Sequence, residues 1–282
     1  MTRNLDLVLV RTFVSVADCG NMTVAANSLC MTQGAVSQQI KRLEDSLGVL
    51  LFKRKARKLE LSRHGEQFIS KARQMLRLND EILSEMTSHA IQCNLKVGVP
   101  YDLVKALGPA MKAFADVHPQ VEIMLHCAAS PALQEAVKSG LVDLALIEYL
   151  EDDAKGELIR VEPLVWVKGS DSDLLGKRPL PLSMVDEKCA FRSTVLNALD
   201  ADGITWRTVF ESGNIEVTAA MVRANLAITT WLSSTVPSDL EIVPTGTPGL
   251  PILPRFAICL QLPANAPPAA IEFARYAKEM LS

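Results

Sequence analysis

Residues 32–44 read TQGAVSQQIKRLE. Val36, Ile40 and Leu43 are spaced four and three apart, and Leu47 follows four residues later, which makes one apolar face of an amphipathic helix. The opposite face stacks Gln33, Ser37 and Lys41 at four-residue steps, beside Gly34, Gln38 and Arg42. A solvated helix face ordinarily mixes acids with bases, yet no acid occurs here before Glu44.

The flanking sequence gives that face a context. A helix is predicted over about residues 4–18, with Leu5, Leu9, Phe13 and Val16 on one stripe. GNMT ends it and offers Asn21 or Thr23 as the cap of a short alanine-rich helix, about 23–29. The turn LCMT follows, and Thr32 can cap the next helix. Helix, tight turn and polar-faced helix together read as a helix-turn-helix. Downstream, Leu59 and Leu61 alternate with Lys58, Glu60 and Ser62, a half-buried strand pattern. Lys53, Arg54, Lys55, Arg57 and Lys58 crowd the stretch before it, so two short strands with a basic tip are expected to form a wing. A merely solvated charge run is the alternative.

On such a face Gln can pair bidentately with adenine, Lys and Arg reach guanine or phosphate, and Ser serves either. Gly34 lets the helix N-terminus approach a phosphate. By position Gln33, Ser37 and Gln38 would read base edges, and Lys41 and Arg42 would hold phosphates or bases. The charge distribution agrees. Residues 1–65 hold ten Lys/Arg and five Asp/Glu, giving +5, whereas residues 66–282 hold nineteen and twenty-seven, giving −8. A basic head on an acidic body suits a chain of which one part meets a polyanion.

From Gly65 to about Ala90 there is no proline. Phe68, Ala72, Met75, Asn79, Ile82 and Met86 form a heptad seam, with Ile69, Leu76, Leu83 and Ala90 as a neighbouring stripe. So broad an apolar face calls for a partner helix, most simply its own copy, with Asn79 as a polar register marker. Packing on the chain's own body is the alternative. After Cys93, strands and helices alternate: LKVGV, VEIML and GLVDLALI in a first lobe, then PLVWV, KCAFR, TWRTVF, LAITT and FAICLQL. Helices are expected near 131–139, 193–201, 213–224 and 267–281. This is α/β texture, and two successive α/β lobes leave a cleft lined by strand-end loops.

The pieces together resemble the LysR-type transcriptional regulators. TVAANSL (23–29), TQGAVSQQIK (32–41), Leu43, Glu44, Leu47, Gly48, Leu51, Phe52, Arg54, Arg57, Leu61 and Gly65 carry the likeness. GVP at 98–100, HPQVEI, GLVDLAL, PLVWV and CAFR resemble, more loosely, the effector domain of the family's LrhA/HexA-like branch. The resemblance implies a winged helix-turn-helix domain (1–65), a linker and dimerisation helix (66–91), and a two-lobed α/β effector-binding domain (92–282) similar to periplasmic binding proteins. Lobe I would take about 92–161 and 264–282, and lobe II about 162–263. It further implies homodimers assembling to homotetramers on double-stranded promoter DNA, answering to a small-molecule effector in the interlobe cleft. Thr23, Thr32, Gln33, Gly34, Ser37, Gln38, Lys41, Arg42, Arg54 and Arg57 would be the DNA-binding set, the two arginines gripping the minor groove or its phosphates. Two departures stand out. Leu50 replaces a usual proline, which is expected to loosen the entry to the wing, and RANLAITTW (223–231) replaces a glycine-rich turn and a proline.

The cleft loops follow from the strand ends: Pro100, Tyr101 and Asp102; Ser130; Glu148; Arg192 and Ser193; and Ser212. Arg192 is the candidate for an acidic effector, against Asp102 and Glu148. Ser130, Ser193 and Ser212 could equally be helix caps. No cofactor, metal site or catalytic group is expected. The four histidines, at 64, 89, 118 and 126, match no catalytic motif, and no P-loop, GxGxxG or GxSxG is present. The rival readings are an enzyme, or a ligand-binding protein that never meets DNA. Six scattered cysteines, at 19, 30, 93, 127, 189 and 259, show no CxxC or zinc spacing. They are read as free thiols, with a redox switch or a protein partner as the alternative trigger. No apolar run is long enough for a membrane span, the N-terminus is a poor signal peptide, and the cytoplasm is the expected location.

Overall fold

Three side-chain caps start the first three helices. Asp6 accepts the Val8 N–H at 2.9 Å before α1 (Leu7–Cys19), and Asn21 accepts the Thr23 N–H at 2.8 Å before α2 (Met22–Ser28). Thr32 accepts the Ala35 N–H at 3.2 Å before α3 (Gln33–Leu47). Each satisfies a donor that a first helical turn leaves unpaired. Asn21 rather than Thr23 is therefore the cap of α2, and α1 begins three residues later than its apolar stripe suggested. The computed structural model describes residues 4–55, 58–87, 93–184, 189–211 and 215–282. It divides into two compact units, residues 1–91 with 138–141, and residues 92–137 with 142–282.

In the first unit, Val10, Phe13, Val36, Leu43 and Leu51 are fully buried together. β1 (Phe52–Lys55) and β2 (Lys58–Leu61) pair antiparallel, Phe52 opposite Leu61, which is the expected wing. Its tip, residues 56 and 57, and the side chain of Arg54 lie outside the described residues. The substitution at Leu50 does not loosen the entry. Glu44 Oε1 accepts the Leu51 N–H at 2.7 Å and the Phe52 N–H at 3.3 Å, and Ser62 Oγ donates to the Leu50 carbonyl at 2.6 Å. At Gly65 a Cβ would stand 2.2 Å from the Leu51 carbonyl oxygen, so only glycine permits this approach.

α4 (Arg63–Thr87) divides its seam between two tasks. Ile69, Ala72 and Leu76 are buried in the first unit's own core, and Phe68 packs on Phe13 with centroids 5.2 Å apart. Self-packing thus accounts for the first half. Further along, Leu78, Ile82 and Leu83 are 58%, 49% and 48% exposed. Asn79 donates to Asp80 at 3.0 Å, and Asp80 accepts from Arg11 at 2.6 Å, so the register residue is tied to its own chain. The Met86 side chain and Ala90 lie outside the described residues.

The second unit opens as read. β3 (Cys93–Val99), α5 (Val104–Val117), β4 (Val121–Cys127), α6 (Ser130–Lys138) and β5 (Leu144–Leu150) form a parallel set, β3 lying between β4 and β5. β6 (Glu157–Lys168) is a single strand shared by both lobes. β7 (Leu180–Met184), α7 (Arg192–Ala201), β8 (Trp206–Glu211), α8 (Ile215–Arg223), β9 (Thr229–Leu232) and β10 (Glu241–Ile242) follow, with β7 and β8 parallel. β11 (Arg255–Gln261) returns antiparallel between β5 and β6, and α9 (Pro268–Leu281) packs on α5, with Phe273 edge-on to Phe114 at 5.3 Å.

Three expectations need correction. PLVWV is not a separate strand: residues 157–163 of β6 pair with β11, and residues 164–168 continue onto β9 and β10. β11, expected in lobe II, is a strand of the lobe I sheet. KCAFR is no strand either. Its residues Cys189–Phe191 turn into α7, Phe191 buries its ring, and the strand is the proline-bearing Leu180–Met184 instead.

Candidate functional site

α3 keeps its polar face in water. Gln33, Gly34, Gln38, Lys41 and Arg42 are exposed and Ser37 is half-buried, with Thr23 and Thr32 exposed at the helix starts beside them. The neighbouring residue Gln39 is withdrawn, accepting a hydrogen bond from Thr12 of α1. Glu44, the acid nearest the face, spends its carboxylate on the wing amides. Within the wing, Lys53 lies 3.7 Å from Glu60 across the ladder, so one of the five bases is partly neutralised. The result is an exposed helix of amides and cations at an amphipathic spacing, able to present paired donors and acceptors to base edges.

The second site is a pocket of about 40 Å³ between the two lobes of the second unit. Six chain segments line it. Pro100, Tyr101 and Asp102 follow β3, Ala128, Ala129 and Ser130 lead into α6, and Glu148 stands on β5. Cys189, Ala190 and Phe191 precede α7, while Ile215 opens α8 and Trp231 stands on β9. Ser130 is not spent as a cap. Its Oγ accepts the Glu148 N–H and donates to Glu148 Oε2, both at 3.0 Å. Burial pushes the Glu148 carboxyl well above the ordinary range, and the neighbouring Asp102 carboxyl pushes it further. Asp102 is raised as well, again chiefly by burial. The pair is thereby biased to hold a proton between its oxygens.

Pro100, Tyr101, Asp102, Ser130 and Glu148 are thus brought together as the sequence suggested. Arg192 and Ser193 are not. Arg192 bonds Glu211 at 2.8 Å, Ser193 is an exposed residue of α7, and neither lines the pocket; Ser212 lies outside the described residues. The pre-helix segment Cys189–Phe191 was hidden by its strand-like composition. Trp231 was visible only as a departure from the family pattern. The same departure is absorbed at Asn225, which takes a left-handed φ of 55° at the end of α8, a conformation asparagine tolerates better than most residues.

The rival chemistries find little footing. Burial raises the thiols of Cys127 and Cys259 and pushes Cys189 up to about 12, the reverse of what a reactive thiolate needs. His118 packs on Phe114 with centroids 4.5 Å apart. Among the described residues no three His, Cys, Asp or Glu side chains gather as a metal site, and no helix is long and apolar enough to cross a membrane.

Comparison with known proteins places the chain. Residues 7–66 match the family described as "Bacterial regulatory helix-turn-helix protein, lysR family", and residues 91–282 match the "LysR substrate binding domain". The chain belongs to the LysR family. It is a LysR-type transcriptional regulator, a DNA-binding helix-turn-helix joined to an effector-binding domain. Among its relatives are the HTH-type transcriptional regulators DgdR of Burkholderia cepacia and PecT of Dickeya dadantii. Both are 33% identical, over 94% of this chain and 90% of DgdR, and over 91% of this chain and 82% of PecT. In fold this LysR regulator resembles CbnR, solved with its target DNA, at a TM-score of 0.58 and 19% identity over 98% of this chain and all of that one.

Proposed function

We propose that this LysR regulator reads promoter DNA with α3, and that occupancy of the interlobe pocket controls it. The observation that carries the first half is the exposed face of Gln33, Ser37, Gln38, Lys41 and Arg42 on a helix capped by Thr32 and braced by Glu44. Gln33, Ser37 and Gln38 read base edges. Gly34, Lys41 and Arg42, with Thr23 and Thr32, hold the phosphates, and Arg54 and Arg57 belong to the minor-groove side. CbnR was solved on its target DNA, which supports the same use of the shared fold here. The second half rests on the pocket, where six segments from two lobes converge; a ligand there favours one lobe arrangement over another by differential affinity.

Two copies are needed for a two-fold operator. The exposed Leu78, Ile82 and Leu83 supply an apolar surface for a second copy, with a homotetramer as the full assembly. The chain acts in the cytoplasm and is not an enzyme. Its working parts are a DNA-binding domain, residues 1–65, a linker and dimerisation segment, 66–91, and an effector-binding domain, 92–282. Selection of bound fragments from the host genome, followed by footprinting, tests the proposal. Two protected half-sites about one helical turn or its multiple apart are expected. Sequence-independent coating of all fragments, or a monomer at micromolar concentration by sedimentation, would refute it.

A further inference from the structure

Two acids and an indole stand among the residues lining the interlobe pocket, whose exposed wall is almost wholly apolar, and no base stands with them. Among the described residues its lining includes no Lys, Arg or His. Glu148 is 6% exposed, and its Oε1, like Asp102 Oδ2, is buried with no donor to meet it. Ser130, 1% exposed, is already committed to Glu148 through both its donor and its acceptor. The nearest arginine by sequence, Arg192, is engaged with Glu211. The separate strand β9 brings Trp231, 1% exposed, whose indole N–H is also buried without an acceptor. Two carboxyl oxygens and one indole N–H without protein partners therefore belong to residues that line one apolar hollow.

We propose that the effector pocket binds a small protonated amine, its ammonium between Asp102 and Glu148, its carbon body against Phe191 and Ile215, and an acceptor of the same molecule on the Trp231 N–H. Taking 10–15 Å³ for each water-sized centre, the pocket holds roughly three, so the fitting ligands have about four or five heavy atoms. A carboxylate ligand would meet two buried acids and, among the described residues, no cation, which counts against it on charge. A metal ion would lack a third protein ligand. In the empty pocket a proton shared by the two carboxyls takes the place of the missing cation. The other titratable groups facing the pair are Glu162, held by Arg160, Ser233 and Ser234, and Cys189, neutral at about 12. Neither supplies a positive charge, so binding an ammonium releases the shared proton to solvent.

This inference rests on the effector-domain reading above. Isothermal titration of the full-length protein at pH 8 would use ethanolammonium chloride, with sodium glycolate and ethylene glycol as anionic and neutral counterparts, each up to about 50 mM. Ethanolammonium is expected to bind at least tenfold more tightly than either, with proton release seen as a heat that depends on the buffer. Glu148→Gln and Asp102→Asn mimic the protonated acids and should fold normally, yet each should weaken ethanolammonium at least tenfold. Trp231→Phe should narrow the advantage of ethanolammonium over ethylammonium. Glycolate binding as tightly as ethanolammonium would overturn the amine and leave the effector pocket standing, as would amide variants that bind like the parent. No heat from any of the three would overturn both. Operator binding by the same sample reports separately on the DNA-binding reading.

Discussion

α3 and the interlobe pocket both present polar side chains, but the first holds them in water and the second out of it. On α3 the residues proposed to read DNA lie close together in sequence, are exposed apart from the half-buried Ser37, and are oriented by a helix whose stability comes from Val36, Ile40 and Leu43 on the opposite side. Substituting one of them alters a contact with a partner and little else. In the pocket, Asp102, Ser130, Glu148 and Trp231 come from four separate segments and bond to or crowd one another. There a substitution changes the protein's own electrostatics before any ligand arrives. A reading face can be legible as a pattern, whereas a buried pocket is a product of the whole domain.

The predictions press on that contrast. The largest effect is expected away from both polar surfaces, at Gly65→Val, where a side chain would collide with a backbone oxygen rather than a movable side chain. A loss of about 3 kcal/mol or more in the first unit is expected. Calorimetry should show the first unit melting early while the transition of the second stays put. An unchanged first transition would mean the wing and α4 do not meet as described.

Next comes the pocket. Because the native Glu148 carboxyl is raised, the parent has its full stability below the unfolded pKa, about 4.3, and loses it as pH rises towards the native value. The slope is about 1.4 kcal/mol per pH unit for one proton. Glu148→Gln lacks this loss and should overtake the parent in melting temperature between pH 5 and 8, with Asp102, Glu162 and Cys189 the titratable neighbours in both proteins. A gap that does not vary with pH would contradict the shared-proton pair.

The effects on α3 are smaller and fall on binding alone. Lys41→Ala and Arg42→Ala should each lower affinity for any duplex, and each should reduce the slope of log K against log salt by about 0.9. Smaller still is the loss of the Lys53–Glu60 pair. Both partners are substantially exposed, so Glu60→Gln should move stability by at most about 0.5 kcal/mol. That change also removes the acid nearest the wing's bases and should slightly strengthen non-specific binding.

Legibility in the sequence followed locality. The cap at Thr32, the apolar stripe of α3 and the alternation of β2 depend on neighbours within a few residues and appear where the pattern put them, while the cap of α2 is Asn21, one of the two residues the pattern offered. β7 was hidden because Pro181 within it and Pro179 just before it speak against a strand. Cys189–Phe191 was mistaken for one because a short apolar run looks alike in a strand and at a buried helix start. The seam of α4 was periodic throughout, yet periodicity does not say which half faces the chain's own core. In the pocket, the strand ends gave Asp102, Ser130 and Glu148. The pairing of Arg192 with Glu211, nineteen residues on, and the arrival of Trp231 are long-range facts that no local pattern contains.

The central claim is that the polar face of α3 reads base edges, and it is tested most directly by fluorescence anisotropy on two duplexes, the footprinted operator and a scrambled sequence of the same length. Gln33→Ala and Ser37→Ala should each cost about 1–3 kcal/mol on the operator and leave the scrambled duplex bound as before, so that specificity falls while non-specific affinity holds. A folded Gln33→Ala protein that binds its operator as tightly as the parent would contradict the account.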